Sequence, residues 1–303
     1  MTPALSVTDE VADALRHGRP VVALETTLVS HGFSAGRGLH AALDAEQAVR
    51  DAGATPATIG VVDGLIRVGL GATELERFAE AGPTARKAGA RDLAACVVQR
   101  ALGATTVGGT LAVCRVAGIE FLGTGGIGGV HRGYAERLDI SADLPELART
   151  RAMVVCSGAK SILDVGATAE LLETLGVPVL GWQVTTLPRF YTGSGGPPVS
   201  ATVTEAREAA HIAAAHWQLN GATGLLLARP PADGLDIEGL VTEAVEQVTR
   251  AGVTGQGVTP AVLTAVEELS GGRSIEVNRR LIADNARLAG QVAAAFRDLG
   301  EMA

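Results

Sequence analysis

The stretch AMVVC (152–156), continued by SGAKSIL (157–163), decides how this chain is read. Five apolar residues with no polar alternation read as a β-strand buried on both faces. The strand ends in small residues that present a lysine, Lys160, ahead of a helix expected from about Ser161 to Leu175. The pattern recurs on either side. PVVAL (20–24), GIEFL (118–122), VPVLGW (177–182) and TGLLLA (223–228) are further short apolar strands. ATIGVV (57–62) and LIRVGL (65–70) read as strands around the turn Asp63-Gly64. Thr8 caps a helix that runs to about His17 and stops at Gly18. Other helices are expected near 39–52, 73–80, 91–102, 109–117, 204–218, 236–251, 260–270 and 275–299. Thr259-Pro260 is a start signal and Gly271-Gly272 a stop. Strands alternating with helices predict an α/β fold whose largely parallel sheet is covered on both faces. No repeat is visible. TGSGGPP (192–198) reads as a flap with no composition shift around it, so residues 1–303 are taken as one domain.

Composition narrows the function. A net charge of −8 without a basic run argues against nucleic-acid binding. Cys96, Cys114 and Cys156 form no CxxC pair, so neither a disulfide framework nor a zinc site is indicated. The N-terminal segment lacks the pattern of a signal peptide, and no apolar run approaches the ~20 residues of a membrane span. A cytoplasmic location is expected.

Four stretches hold candidate chemistry. In VVALETTLVSHG (21–32), Glu25 directly follows a buried strand, where a carboxylate is costly unless paired or functional. Strand C-termini line the ligand crevice of parallel sheets, although a salt-bridged strand end is the alternative reading. In GTGGIGGVHRG (123–133), Gly123, Gly125 and Gly128 match the dinucleotide fingerprint in form, and Asp143 lies downstream. The residues after Gly128 are a poor helix start, so the stretch reads better as a backbone-rich ligand loop. His131 is there either an acid/base group or a structural loop histidine. In LDISADL (138–144), Asp139, Ser141 and Asp143 could hold a hard cation or sugar hydroxyls; alternatively Ser141 caps a helix starting near Ala142. The fourth is Lys160. Only two of 25 basic residues are lysines, Lys87 and Lys160. A lysine amine can deprotonate and form a Schiff base, which arginine cannot. Asn278 and Asn285, seven apart, share a face of the last helix, either as polar tips reaching a site or as exposed asparagines.

These residues resemble a known family. VVALETTLVSHG, RDL after Lys87, GATTV, TGGIGGVHRG, DISADL, CSGAKSILD and DNARLA are similar, in this order, to segments of the pseudouridine-5′-phosphate glycosidases, the indigoidine synthase A family. The likeness runs from about residue 8 to 298 and is weakest in 190–204 and 229–240. It implies a three-layer α/β/α sandwich, a homotrimer and a divalent metal, usually Mn2+. It implies reversible hydrolysis of pseudouridine 5′-phosphate to uracil and ribose 5-phosphate. On the same ground Lys160 is the nucleophile, Glu25 the proton donor and Asp139 the metal ligand. Lys87, Val107, His131, Ser141, Ala142, Asp143 and Asn285 are expected to contact substrate.

The chemistry explains why such residues are needed. A carbon leaving group has no lone pair to protonate, so the paired carboxylates of ordinary glycosidases do not suffice. A neutral lysine amine attacking C1′ opens the sugar and supplies an electron sink, while an acid protonates uracil C5. For that, Lys160 must lose its proton and Glu25 must hold one. Three other readings stand beside this one. An aldolase-like Schiff-base lyase of sugar phosphates would use the same lysine without a uracil site. A dinucleotide-binding oxidoreductase would leave Lys160 idle. A sugar-phosphate sensor would bind without turnover.

Overall fold

The structure is a computed structural model that describes residues 5–33, 36–135, 138–253 and 257–301, apart from the side chains of 300 and 301. Eleven strands form one sheet among the described residues. They are β1 (Leu5–Val7), β2 (Val21–Glu25), β3 (Thr55–Val62), β4 (Leu65–Val68), β5 (Arg86–Ala88), β6 (Gly103–Thr105), β7 (Phe121–Gly123), β8 (Met153–Cys156), β9 (Val179–Trp182), β10 (Ala201–Val203) and β11 (Leu225–Ala228). The order is β1-β4-β3-β2-β7-β8-β11-β9-β10, with β6 added to β3 and β5 to β6. β4 and β6 run antiparallel to β3, and every other pairing is parallel. The expected largely parallel α/β sheet is therefore present. The centre is apolar on both faces: every residue of β2, β7, β8 and β11 is buried.

Helices cover the sheet on both sides in a three-layer α/β/α arrangement. Crossovers from β2 leftward to β3 and from β10 leftward to β11 carry helices Arg37–Asp51 and Ala206–Asn220. Right-handed connections place both on one face. There they flank the long helix Arg273–Glu301, which packs on β2, β7 and β8. The rightward crossover between the parallel strands β7 and β8 puts Asp143–Ala148 on the other face, and Val107–Ala117 packs beside it against β2 and β3. Small residues permit the close layers. A Cβ on Gly290 would lie 2.7 Å from Ala52 Cβ, and one on Gly123 would lie 2.9 Å from Ala286 Cα. No helix among the described residues is long and apolar enough to cross a membrane.

Several elements differ from the sequence expectation. The helix expected over 91–102 is a 3-10 turn, Ala90–Asp92, and a short helix, Leu93–Val98, that ends where Arg100 adopts a φ of 52°. The strand expected at 118–122 begins at Phe121, because Gly118, with φ of 73°, still closes the preceding helix. The helix expected from Ser161 starts at Val165. Asp164 caps it, its side chain accepting the Ala167 N–H at 2.9 Å. Lys160 therefore stands on a loop. Helix Thr27–His31 and strands β1, β5, β6 and β10 were not expected at all.

Candidate active site

The chain leaves β2 toward β3 on one side and β7 toward β8 on the other, so the neighbouring pair β2 and β7 marks the switch point of the sheet. Parallel sheets open a crevice at the C-terminal ends of such a pair. Glu25 ends β2 there, and Gly123 ends β7.

Glu25 is 4 % exposed. The Thr27 hydroxyl donates to its Oε2, and the Thr124 hydroxyl donates to Oε1 at 2.5 Å. No ion pair involves it among the described residues, so the salt-bridged strand end is not what the structure shows. Two hydroxyls hold the carboxyl group in one orientation toward the crevice.

Lys160 reaches the same crevice from the loop after β8. That loop is zipped to the glycine segment after β7. Ser157 N–H donates to Gly125 O at 2.8 Å, Ile127 N–H to Gly158 O at 3.0 Å, and Lys160 N–H to Ile127 O at 3.0 Å. Gly158, with φ of 83°, lies so close to the next loop that an added Cβ would sit 2.0 Å from Pro188 O. Arg132 secures the far end, donating to Ser161 O at 3.1 Å and pairing with Glu238 at 2.7 Å.

Lys87, on β5, completes the group. Burial pushes its ammonium below the ordinary lysine value of 10.5, and the nearby Lys160 charge adds to that shift; Asp143, Glu25 and Asp139 oppose it. Lys87 thus lies within the fields of both the Glu25 side and the Asp139–Asp143 side of the crevice. Glu25, Lys87, Lys160, Gly125 and Gly126 border one cavity of about 60 Å³. At ~15 Å³ per water it has room for about four, the scale of a small flat ring and not of a dinucleotide.

The segment 139–143 forms the other side. Asp143 is 5 % exposed and accepts the N–H of Gly108 at 2.7 Å and of Gly128 at 2.9 Å. It ties helix Val107–Ala117 to the glycine loop. Ser141 Oγ accepts the Asp143 N–H at 3.2 Å, a turn bond just ahead of the helix, whose N-cap position is held by Ala142 and not by Ser141. A Cβ on Gly128 would meet that oxygen at 2.2 Å. Ala142 is exposed on the turn. His131 donates its backbone N–H to Asp139 O at 3.0 Å, and its Nδ1 lies 4.0 Å from Asp139 Oδ2. Burial pushes the His131 imidazole below its ordinary value and the two lysine charges add to this; Asp139 works against them. Among the described residues no group of three or more metal-ligating side chains exists. One carboxylate with one imidazole beside it fits a hard cation that keeps most of its waters.

Two expected substrate contacts lie elsewhere. Val107 is fully buried in the first helical turn and borders neither of the two cavities nearest the lysines. Asn285 is also fully buried. Its Nδ2 donates to Thr124 O at 2.8 Å and Ser157 Oγ at 3.1 Å, holding the glycine floor from behind. Asn278 instead borders the cavity, with its buried Oδ1 lacking a hydrogen-bond partner.

Among the residues bordering the cavity that sequence reasoning missed are His31 and Phe190. His31 closes helix Thr27–His31; burial, then the Lys87 charge, push its imidazole below the ordinary 6.5. Phe190 adopts a φ of 64°, rare for a bulky residue, and lies where a Cβ on Gly126 would touch its ring at 2.6 Å. Neither has a sequence signal beyond its residue type. The glycine segment itself leads into no helix, the next being Asp143–Ala148, so the fingerprint match is only formal and the dinucleotide reading fails.

Comparisons with known proteins bear on the family and the fold. A family model described as Indigoidine synthase A like protein matches residues 10–295. The pseudouridine-5′-phosphate glycosidase of Chloroflexus aurantiacus is 45 % identical over 98 % of this chain and 100 % of its own. That of Deinococcus radiodurans is 45 % identical over 98 % of this chain and 96 % of its own. Among solved structures, the prealnumycin C-glycosynthase AlnA in complex with ribulose 5-phosphate superposes with a TM-score of 0.89 at 41 % identity, covering 99 % of both chains. An indigoidine synthase A-like protein from Thermotoga maritima gives 0.88 at 32 % identity, covering 97 % of both.

Proposed function

The chain belongs to the indigoidine synthase A like family, and from that premise we propose that it hydrolyses the carbon–carbon glycosidic bond of pseudouridine 5′-phosphate, reversibly, through a covalent adduct on Lys160. The observation that carries this reading is the convergence of Glu25, Lys87 and Lys160 on one small cavity at the switch point of the sheet.

The neutral Lys160 amine bonds to C1′ while the C1′–O4′ bond breaks and O4′ takes up a proton. Glu25 in its protonated form delivers a proton to uracil C5. The nitrogen lone pair then forms C=N as the C1′–C5 bond breaks, its electron pair passing to the uracil ring. Water hydrolyses the imine, releasing ribose 5-phosphate and the free amine. One water is consumed overall. Lys87 supplies positive charge for the phosphate. Asn278 turns its Oδ1 to the base, fitted to accept the uracil N3–H, and Phe190 offers a ring face. Asp139, with His131 beside it, would hold a divalent cation such as Mn2+, which supplies positive charge near the sugar phosphate. The homotrimer and the cytoplasmic location belong to this proposal.

The test is turnover. The wild type should release uracil and ribose 5-phosphate in equal amounts from pseudouridine 5′-phosphate, and Lys160→Arg should release neither. Turnover by Lys160→Arg near that of the wild type would remove the covalent step. In reverse, uracil dependence separates this reading from an aldolase-like lyase, which needs no base.

A further inference from the structure

A second cavity, of about 480 Å³, adjoins the first and shares His31, Gly32, Phe33, Pro260, Leu263 and Asn278 with it. Glu25, Lys87 and Lys160 border only the first. Asp139, His131 and Ser141 to Asp143 border neither, although the Asp139 and Asp143 charges act on Lys87. Glu25 and the two lysines therefore border the small cavity, and the shared wall with His31, Phe33, Leu263 and Asn278 lies between it and the large cavity. A substrate with its phosphate near Lys87 and C1′ at Lys160 places its base in the small cavity. The edge of the base remote from C1′ then faces the shared wall. The large cavity falls within the ~300–1,000 Å³ of sites that hold drug-sized molecules, more than passage of a small ring needs.

We propose, on the basis of the C-glycosidase reading above, that this second cavity receives substituents on N1 of the base, so that the substrate class extends to N1-substituted pseudouridine 5′-phosphates. In a C-nucleoside the sugar occupies C5 and leaves N1 free. A group on N1 spares the N3–H for Asn278. The bonds that change are unaltered: C1′–C5 breaks, one water adds, and the products are ribose 5-phosphate and the N1-substituted uracil. Ala79, Ala81 and Pro83 give the cavity apolar wall, while the exposed Glu80 carboxylate borders it and opposes an anionic tail; the Glu267 carboxylate is paired with Arg37. A neutral alkyl chain is the best match.

The experiment compares kcat/KM for pseudouridine 5′-phosphate and its N1-methyl, N1-butyl and N1-carboxybutyl derivatives. It uses the wild type and Thr264→Trp. Thr264 borders only the second cavity. The methyl and butyl compounds should react within about tenfold of the parent, the scale on which apolar sites discriminate small groups. The carboxybutyl compound should be slower than the butyl. Thr264→Trp should slow the butyl compound at least about tenfold and leave the parent unchanged. Parent turnover with no detectable butyl turnover would overturn the proposal, as would equal effects of Thr264→Trp on both. Failure of the wild type on the parent itself would instead overturn the C-glycosidase reading on which the proposal rests.

Discussion

Replacing Asp143 with alanine should unfold the protein at a markedly lower denaturant concentration. Both carboxylate oxygens are committed to backbone N–H groups, Gly108 at 2.7 Å and Gly128 at 2.9 Å, in a place only 5 % exposed. A net hydrogen bond to a charged group contributes ~1.5–3 kcal/mol, so removing both should cost about 3–6 kcal/mol. Water refilling the space would move the result toward the lower figure. Domains are commonly stable by only ~5–15 kcal/mol, so the loss is a large fraction of the whole. Asp143→Asn keeps one acceptor and turns a donor toward the other N–H, and should cost at least half as much. Guanidinium unfolding, analysed at constant m, measures the effect. Should Asp143→Ala lose less than about 1 kcal/mol while KM rises sharply, the carboxylate would be a substrate contact and not the clasp between helix and glycine loop.

Two further outcomes follow from charge. Lys87 is held below the usual 10.5 first by burial and then by Lys160, so its positive charge disappears at lower pH than an ordinary lysine's. KM for the phosphorylated substrate should accordingly rise with pH before 10.5 is reached, and a flat profile up to that pH would count against the phosphate role. The linkage sign is that the unfolded chain binds more protons between the lowered pKa and 10.5, so this group's contribution to stability increases with pH there. Asp139→Ala should flatten the response of activity to added Mn2+ after chelation, and an unchanged metal titration would move the ligand elsewhere.

The sheet was legible because β2, β8 and β11 are apolar on both faces, which leaves an unbroken run in the sequence. Strands β5 and β6 were not, because three residues each carry no period; pairing with each other and with β3 creates them. That matters for the site, since Lys87 is positioned by a strand that sequence patterning could not show. Lys160 stood out because lysine is scarce, yet its loop was read as helix. The signal that would have corrected this is Asp164, a capping residue three positions before the Ala167 N–H it binds. Asn278 and Asn285 share a helix face as their spacing implied, but seven residues of rise separate a cavity wall from the back of the glycine floor. Only tertiary packing decides which of the two meets a ligand.

The central claim is the covalent lysine. The protein should be mixed with ribose 5-phosphate, reduced with borohydride and mapped by peptide mass. Lysine occurs only at 87 and 160, so apart from the terminal amine the assignment is between two sites. The account predicts a reduced pentose phosphate adduct on Lys160. An adduct confined to Lys87, or none on any amine, would contradict it.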